Sequence, residues 1–267
     1  MKKVILSTLL AIIFSFVGFG QNDNSGALKF LGIPIDGTEA QFANKLRNKG
    51  FTYNSFSESY QGQFNGQSVD VYIHCNHDVV DRVYVAFPST TEDNIRMQFN
   101  RLLNQFEKNG KYLNLSQSEE IPAEDDISYE IIINDKRYQA SFSYFDPNRD
   151  KLEFAYACLD AVAEFFTEDD LKALKESMKQ YIESSEEQQS EIIEQVYANM
   201  QKTELAKSSR NTQEDAERVY RYLLKLIDAM RSLADGEVWF MIHQDYGHYQ
   251  IGLYYDNLHN QAHGEDL

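Results

Sequence analysis

Cysteine is scarce here: the 267 residues include two, Cys75 and Cys158. No CxxC pair exists, and no Cys lies near the N-terminal apolar stretch, so CxxC redox chemistry and lipidation at that end both lack their residue. Basic residues are also short, 25 Lys and Arg against 42 Asp and Glu, for a net charge of −17. Such a field repels nucleic acid and anionic lipid surfaces. Beyond Val17 no run is long and apolar enough to span a bilayer. Nucleophile elbows, HExxH, phosphate-cradling Gly-rich loops and a reactive Cys with a His partner are all missing. Carboxylates abound, but no Asp or Glu pair stands out as acid and base. The sequence therefore names no catalytic residue and implies no cofactor.

The first residues have the form of a secretory leader. Met1-Lys2-Lys3 is basic, Val4 to Val17 is apolar, and Gly18-Phe19-Gly20 supplies small residues at the positions a signal peptidase reads. Cleavage after Gly20 leaves 247 residues from Gln21, in the periplasm or outside the cell, and loss of Lys2 and Lys3 takes the charge from −17 to −19. That length holds one large core or two small ones. High aromatic content argues against disorder.

The organising stretch is Phe64 to Phe87, which recurs without a gap 69 residues later as Ile133 to Tyr156. Val69 falls on Tyr138, Ile73 on Phe142, Asp81 on Asp150, Val85 on Phe154. Apolar and turn positions stay in step, as in a repeated structural unit. In the first unit Thr38-Glu39-Ala40-Gln41 is a capping box opening a helix over 38–49, closed by Gly50. Strands follow at Tyr60–Phe64, Val69–Cys75 and Arg82–Phe87, with Asn65-Gly66 as a tight hairpin turn. In the second unit Thr90 or Thr91 caps a helix through Ile95, Phe99, Leu102, Leu103 and Phe106. Strands are then expected at Tyr129–Ile133, Arg137–Tyr144 and Lys151–Cys158. Between them Glu119, Glu120, Glu124, Asp125 and Asp126 read as a solvated loop, and Asp146-Pro147-Asn148 as a turn.

After Leu159 the pattern is helical. Thr167 caps a helix bearing Leu171, Leu174, Met178, Tyr181 and Ile182, and Ser184 to Glu187 interrupts it. Ile192, Ile193, Val196, Tyr197 and Met200 resume the pattern, as a helical hairpin or one kinked helix. Following a polar linker from Lys207, Thr212 caps a third helix through Tyr220, Leu223, Leu224, Ile227 and Met230. Val238–His243 and Tyr249–Tyr255 close the fold as a hairpin around Tyr246-Gly247. A shift of 121 lays this last helix on that of the second unit, which leaves a third repeat over 212–256 open. The expected fold is α+β: two tandem helix-plus-antiparallel-meander repeats (28–87 and 88–158) form one sheet with helices on one face. A helical segment and β-hairpin (159–256) pack on the same domain, and 257–267 is a polar, mobile tail.

The tandem unit from Leu28 to Cys158 resembles the β-lactamase-inhibitor-protein-like architecture, seen also in small outer-membrane-assembly lipoproteins. FLGIPIDGT at 30–38, KGF at 49–51 and the terminal GEDL look like uncharacterised secreted Bacteroidetes proteins. The resemblance implies two units side by side, helices on one face and an open sheet on the other. It carries no reaction, because these motifs are turn and cap chemistry. The chain lacks the inhibitor's loop and the lipoproteins' lipid-bearing Cys.

Several side chains are site candidates. Cys75 and Cys158 share inward strand parity, so they form either a disulfide, as an oxidising compartment favours, or two separate buried thiols. His74, Cys75, His77 and Asp78 crowd one turn, but alternation sends His74 and Cys75 to opposite faces, and the second unit has no counterpart ligands. His243, Asp245 and His248 at the last turn, with His259 and His263 beyond, are the remaining metal candidates, short of four fixed ligands. Asp146 to Asp150 lacks the Gly and distal Glu of a calcium loop. If the apolar parity packs under the helices, the open face displays Tyr72, His74, Arg82 and Tyr84, then Ser141, Ser143, Glu153 and Ala155. Tyrosines on a half-wet sheet suit a protein interface, although cross-strand pairing alone also explains them. The expected function is non-catalytic binding of a protein or envelope component. An acidic immunity-type inhibitor of a basic toxin or enzyme comes second, and an envelope enzyme third.

Overall fold

The computed structural model describes residues 26–200, 213–245 and 247–261. The expected leader, the expected linker from Lys207 and Thr212 cap, Tyr246 and the tail from 262 lie outside the described residues. Chain order is β1 (Lys29–Phe30), β2 (Ile33–Pro34), α1 (Glu39–Asn48), β3 (Thr52–Asn54), β4 (Ser59–Phe64), β5 (Gln67–Asn76), β6 (Val79–Ala86), α2 (Glu92–Lys108), β7 (Tyr112–Leu113) and α3 (Ile127–Asn134). Then come β8 (Gln139–Tyr144), α4 (Lys151–Ala161), α5 (Glu168–Glu183), α6 (Glu186–Met200), α7 (Gln213–Ser232), β9 (Gly236–Asp245) and β10 (His248–Asn257).

Strands β3 to β10 make one antiparallel sheet in the order β3-β4-β5-β6-β10-β9-β8-β7. That order is two four-stranded meanders, β3–β6 and β7–β10, joined where β6 meets β10. A helix precedes each, so the α+β class and the single large antiparallel sheet with helices stand as expected. Local chemistry matches in the first unit. Thr38 and Gln41 form the reciprocal capping box, and Asn65 and Gly66 both take positive φ in the β4–β5 turn.

The strands of the second meander differ from expectation. Tyr129–Ile133 lies in helix α3, because Asp126 accepts the Tyr129 N–H at 2.8 Å and Glu92 accepts that of Ile127 at 2.8 Å. Lys151–Cys158 lies in helix α4, where the Asp150 carboxylate accepts the N–H groups of Leu152 and Glu153. There the buried residues Phe154, Ala155, Cys158 and Leu159 follow a helical period. Only β8 matches an expected second-unit strand; the C-terminal hairpin β9–β10 supplies the last two, pairing with β8 and β6. Residues 212–256 are therefore no third repeat.

The chain divides into two compact units. One comprises the described residues 26–146 and 234–261; the other is Pro147–Leu233, inserted between neighbouring strands β8 and β9. The expected boundary at 158 thus moves to 147, and the hairpin belongs to the sheet. In the sheet unit, Val69, Val71, Val83, Val85, Val238, Phe240, Ile251 and Leu253 line one face. Phe42 and Leu46 of α1 and Ile95, Phe99, Leu102, Leu103 and Phe106 of α2 cover it. Phe99 meets Phe240 edge-on at 5.0 Å, and Phe106 stacks on Phe142 at 5.2 Å. Each fully buried Phe or Leu contributes roughly 1.5–3 kcal/mol of transfer free energy. The start of the tail is tied down instead of mobile: Asn257 donates to the Ile35 carbonyl at 2.7 Å and Asn260 to that of Val80 at 3.0 Å.

The helical unit has its own buried set, including Leu159, Phe165, Leu174, Met178, Tyr181, Val196, Tyr222, Leu226 and Met230. Thr167 caps α5 as expected, accepting the Asp170 N–H at 3.2 Å. Cys158 is buried here, which pushes its thiol up to about 12. Cys75 is on β5 of the sheet unit, and both thiols are free. The strand parity that favoured a disulfide does not exist for Cys158.

Candidate binding face

Strand alternation sends a second set of side chains to the face of the sheet opposite α1 and α2. Tyr72 on β5, Tyr84 on β6, Tyr254 on β10 and Trp239 on β9 point to it from four adjacent strands. They occupy directly opposed positions, Tyr72 with Tyr84, Tyr84 with Tyr254, Tyr254 with Trp239. Strands lie about 4.8 Å apart, near the contact distance of stacked rings, so in-register aromatics on one face stack. Ring centroids are 5.4, 4.6 and 3.8 Å apart along the row, with interplanar angles of 22°, 18° and 7°. Two rings come from each meander.

Arg82 and Asp256 brace the row. Arg82 Nε and one Nη donate to the two Asp256 oxygens at 2.5 and 2.9 Å, and the Trp239 Nε1–H donates to Asp256 Oδ2 at 2.8 Å. The Asp256 side chain is 4% exposed and that of Arg82 37%. The guanidinium also sits 6.0 Å from the Trp239 ring and 5.8 Å from that of Tyr254. Burial pushes the Tyr84 phenol up to about 12, with Tyr254 and Tyr72 adding to it. Gly252 lies beneath, where a Cβ would come within 2.9 Å of His243 Nε2, 3.0 Å of Tyr84 Cε2 and 3.1 Å of Tyr254 Cε2. The absent side chain lets three rings close over the backbone.

The flanks are acidic or neutral. Ser59 and Gln61 hold Asp70 at 2.7 and 2.9 Å, and Ser141 donates to Glu237. Asp81 is the extra residue of a β-bulge beside His74, whose Nδ1 lies 2.6 Å from its carboxylate. Among the described outward residues of β4–β6 and β8–β10, Arg82 is the sole Lys or Arg, and Asp256 occupies it. The face thus offers ring edges, phenol hydroxyls and carboxylates.

The chain matches no protein-family model, no curated protein and no solved structure.

Of the residues expected on this face, Tyr72, His74, Arg82 and Tyr84 are there, with Ser141 and Ser143. Glu153 is not: it and Ala155 belong to α4 of the helical unit, since that segment is no strand. Trp239, Tyr254, Asp256 and Gly252 were missed, although the buried alternation Val238-Phe240-Ile242 and Ile251-Leu253-Tyr255 sends Trp239, Tyr254 and Asp256 outward. Among the described residues no group of three or more His, Cys, Asp or Glu is placed to hold a metal. His243 lies on the same face as the aromatic row, 3.5 Å from the Tyr254 hydroxyl, and burial pulls its pKa down from 6.5. His248 is exposed at the turn, opposite Asp245 in the register, and His259 pairs instead with Asp235 at 2.8 Å. The acidic loop is not wholly free in solvent: Asp125 accepts from Lys136 at 2.7 Å and Tyr138 at 2.8 Å, and these bonds pull its pKa down. No helix among the described residues is long and apolar enough to cross a membrane.

Proposed function

We propose that this chain is an exported, non-catalytic binding protein of the cell envelope, and that a protein or other envelope component docks on the open face of the sheet. The observation that carries the reading is the row Tyr72-Tyr84-Tyr254-Trp239, locked by Arg82 and Asp256. Stacked rings fixed by cross-strand register are rigid before any partner arrives, so docking costs little side-chain entropy. Tyr and Trp combine apolar area with a polar tip, which is why they dominate interface hot spots. The basic-then-apolar leader supports export, and the −17 charge disfavours nucleic acid.

A second reading has an observation of its own. The net charge and the lack of an uncommitted cation among the described outward residues suit a basic protein partner, as for an immunity-type inhibitor of a basic toxin or enzyme. Capture from an envelope extract separates the two. Tyr72→Ala with Tyr84→Ala should abolish capture in both; undiminished capture by a folded variant would refute the sheet-face reading. Capture of a basic inhibitor target falls steeply as salt rises, whereas capture dominated by aromatic burial changes little.

A further inference from the structure

Helix α7 is apolar on two sides. Tyr222, Leu226 and Met230 are buried within the helical unit, with Phe165 edge-on to Tyr222 at 5.4 Å. On the opposite side Tyr220 is 62% and Leu224 41% exposed, and Ile227 is partly exposed beside them. With Glu217 and Arg231 they form the stripe Glu217-Tyr220-Leu224-Ile227-Arg231, spaced three and four residues apart as in a coiled-coil seam.

The stripe is complementary to itself reversed. We propose that α7 pairs antiparallel with α7 of a second copy of this chain, about a two-fold axis at Leu224. Glu217 lies seven residues before Leu224 and Arg231 seven after it, so each end of the pair sets Glu217 against Arg231 of the other copy. On a 3.6-residue helix Tyr220 and Ile227 fall on one flank of Leu224, and Arg221 and Asp228 on the other. A two-fold axis perpendicular to the helix pair brings like flanks together in reversed order. Tyr220 then meets Ile227 of the other copy, and Arg221 meets Asp228, each contact made twice. Within one copy Arg231 is 3.9 Å from Asp228, a loose i,i+3 pair. A parallel pair would instead set Glu217 against Glu217 and Arg231 against Arg231. Charge order thus selects the antiparallel pair.

Sedimentation equilibrium on the purified chain over a concentration series tests this. A monomer–dimer equilibrium is expected, with Leu224→Glu weakening it by on the order of 100-fold, since the axis counts the substitution twice. Glu217→Arg and Arg231→Glu should each weaken self-association, with circular dichroism showing that each variant is folded. Mixing these two single variants should restore dimers as a heteropair, because each then supplies the charges the other needs. A monomer at every concentration, as when other residues of the same chain cover the stripe, would overturn the proposal. So would a dimer indifferent to Leu224→Glu, or one that mixing the charge variants fails to restore.

Discussion

Tyr84 and Tyr254 lie face to face across the seam between the two meanders, centroids 4.6 Å apart and planes 18° from parallel. Each is on the last strand of its unit, and each carries one further ring outward, Tyr72 on one side and Trp239 on the other. The aromatic row is therefore a product of the junction. Neither unit could make it alone, and the seam's register keeps all four rings in one line.

Asp256 should be the most sensitive polar residue of the face. Asp256→Ala strands the Arg82 guanidinium and the Trp239 N–H, and should cost about 2 kcal/mol, less than a fully buried pair because Arg82 is open to water. Urea unfolding measures it. The double variant with Arg82→Ala should lose less than the two single losses combined, because the residues share one interaction.

Gly252→Ala should also destabilise. Its methyl would sit 2.9 Å from His243 Nε2 and about as close to two tyrosine rings, forcing the stack to shift. A loss of about 1–3 kcal/mol and an altered near-ultraviolet dichroism signal are expected. An unchanged signal would mean that the rings do not close over the backbone at this position.

His243 makes stability depend on pH in a definite direction. Burial holds its folded-state pKa below 6.5, so the unfolded chain takes up the proton first as pH falls. Its contribution is fully present above about pH 6.5, declines on acidification, and levels off below the folded-state value. Urea midpoints from pH 8 to 5 should fall less steeply in His243→Gln than in the parent chain. Equal slopes would place the imidazole in water.

Periodicity made the first unit legible, because each strand alternates cleanly and Asn65-Gly66 and the Thr38 capping box leave one local solution. The second unit misled for a physical reason. Leu152, Phe154, Tyr156 and Cys158 alternate, but Ala155 and Leu159 also face inward and Asp150 caps the backbone, so the same letters satisfy a helix. Three consecutive isoleucines in α3 speak for a strand, and the caps at Asp126 and Asp135 override them. Half of the aromatic row went unseen because its partner strands lie beyond an insertion of almost ninety residues. The outward parity of Trp239 and Tyr254 was readable; their neighbours in the sheet were not.

Trp239 is the sole tryptophan of the chain and stands at one end of the row, so its emission reports whether a partner docks there. Titration with a partner recovered by capture should change that emission saturably, with the same midpoint as calorimetry. The partner should also shield Trp239 from a soluble quencher. Calorimetric binding that leaves both emission and quenching untouched would put the interface elsewhere and exclude the aromatic row.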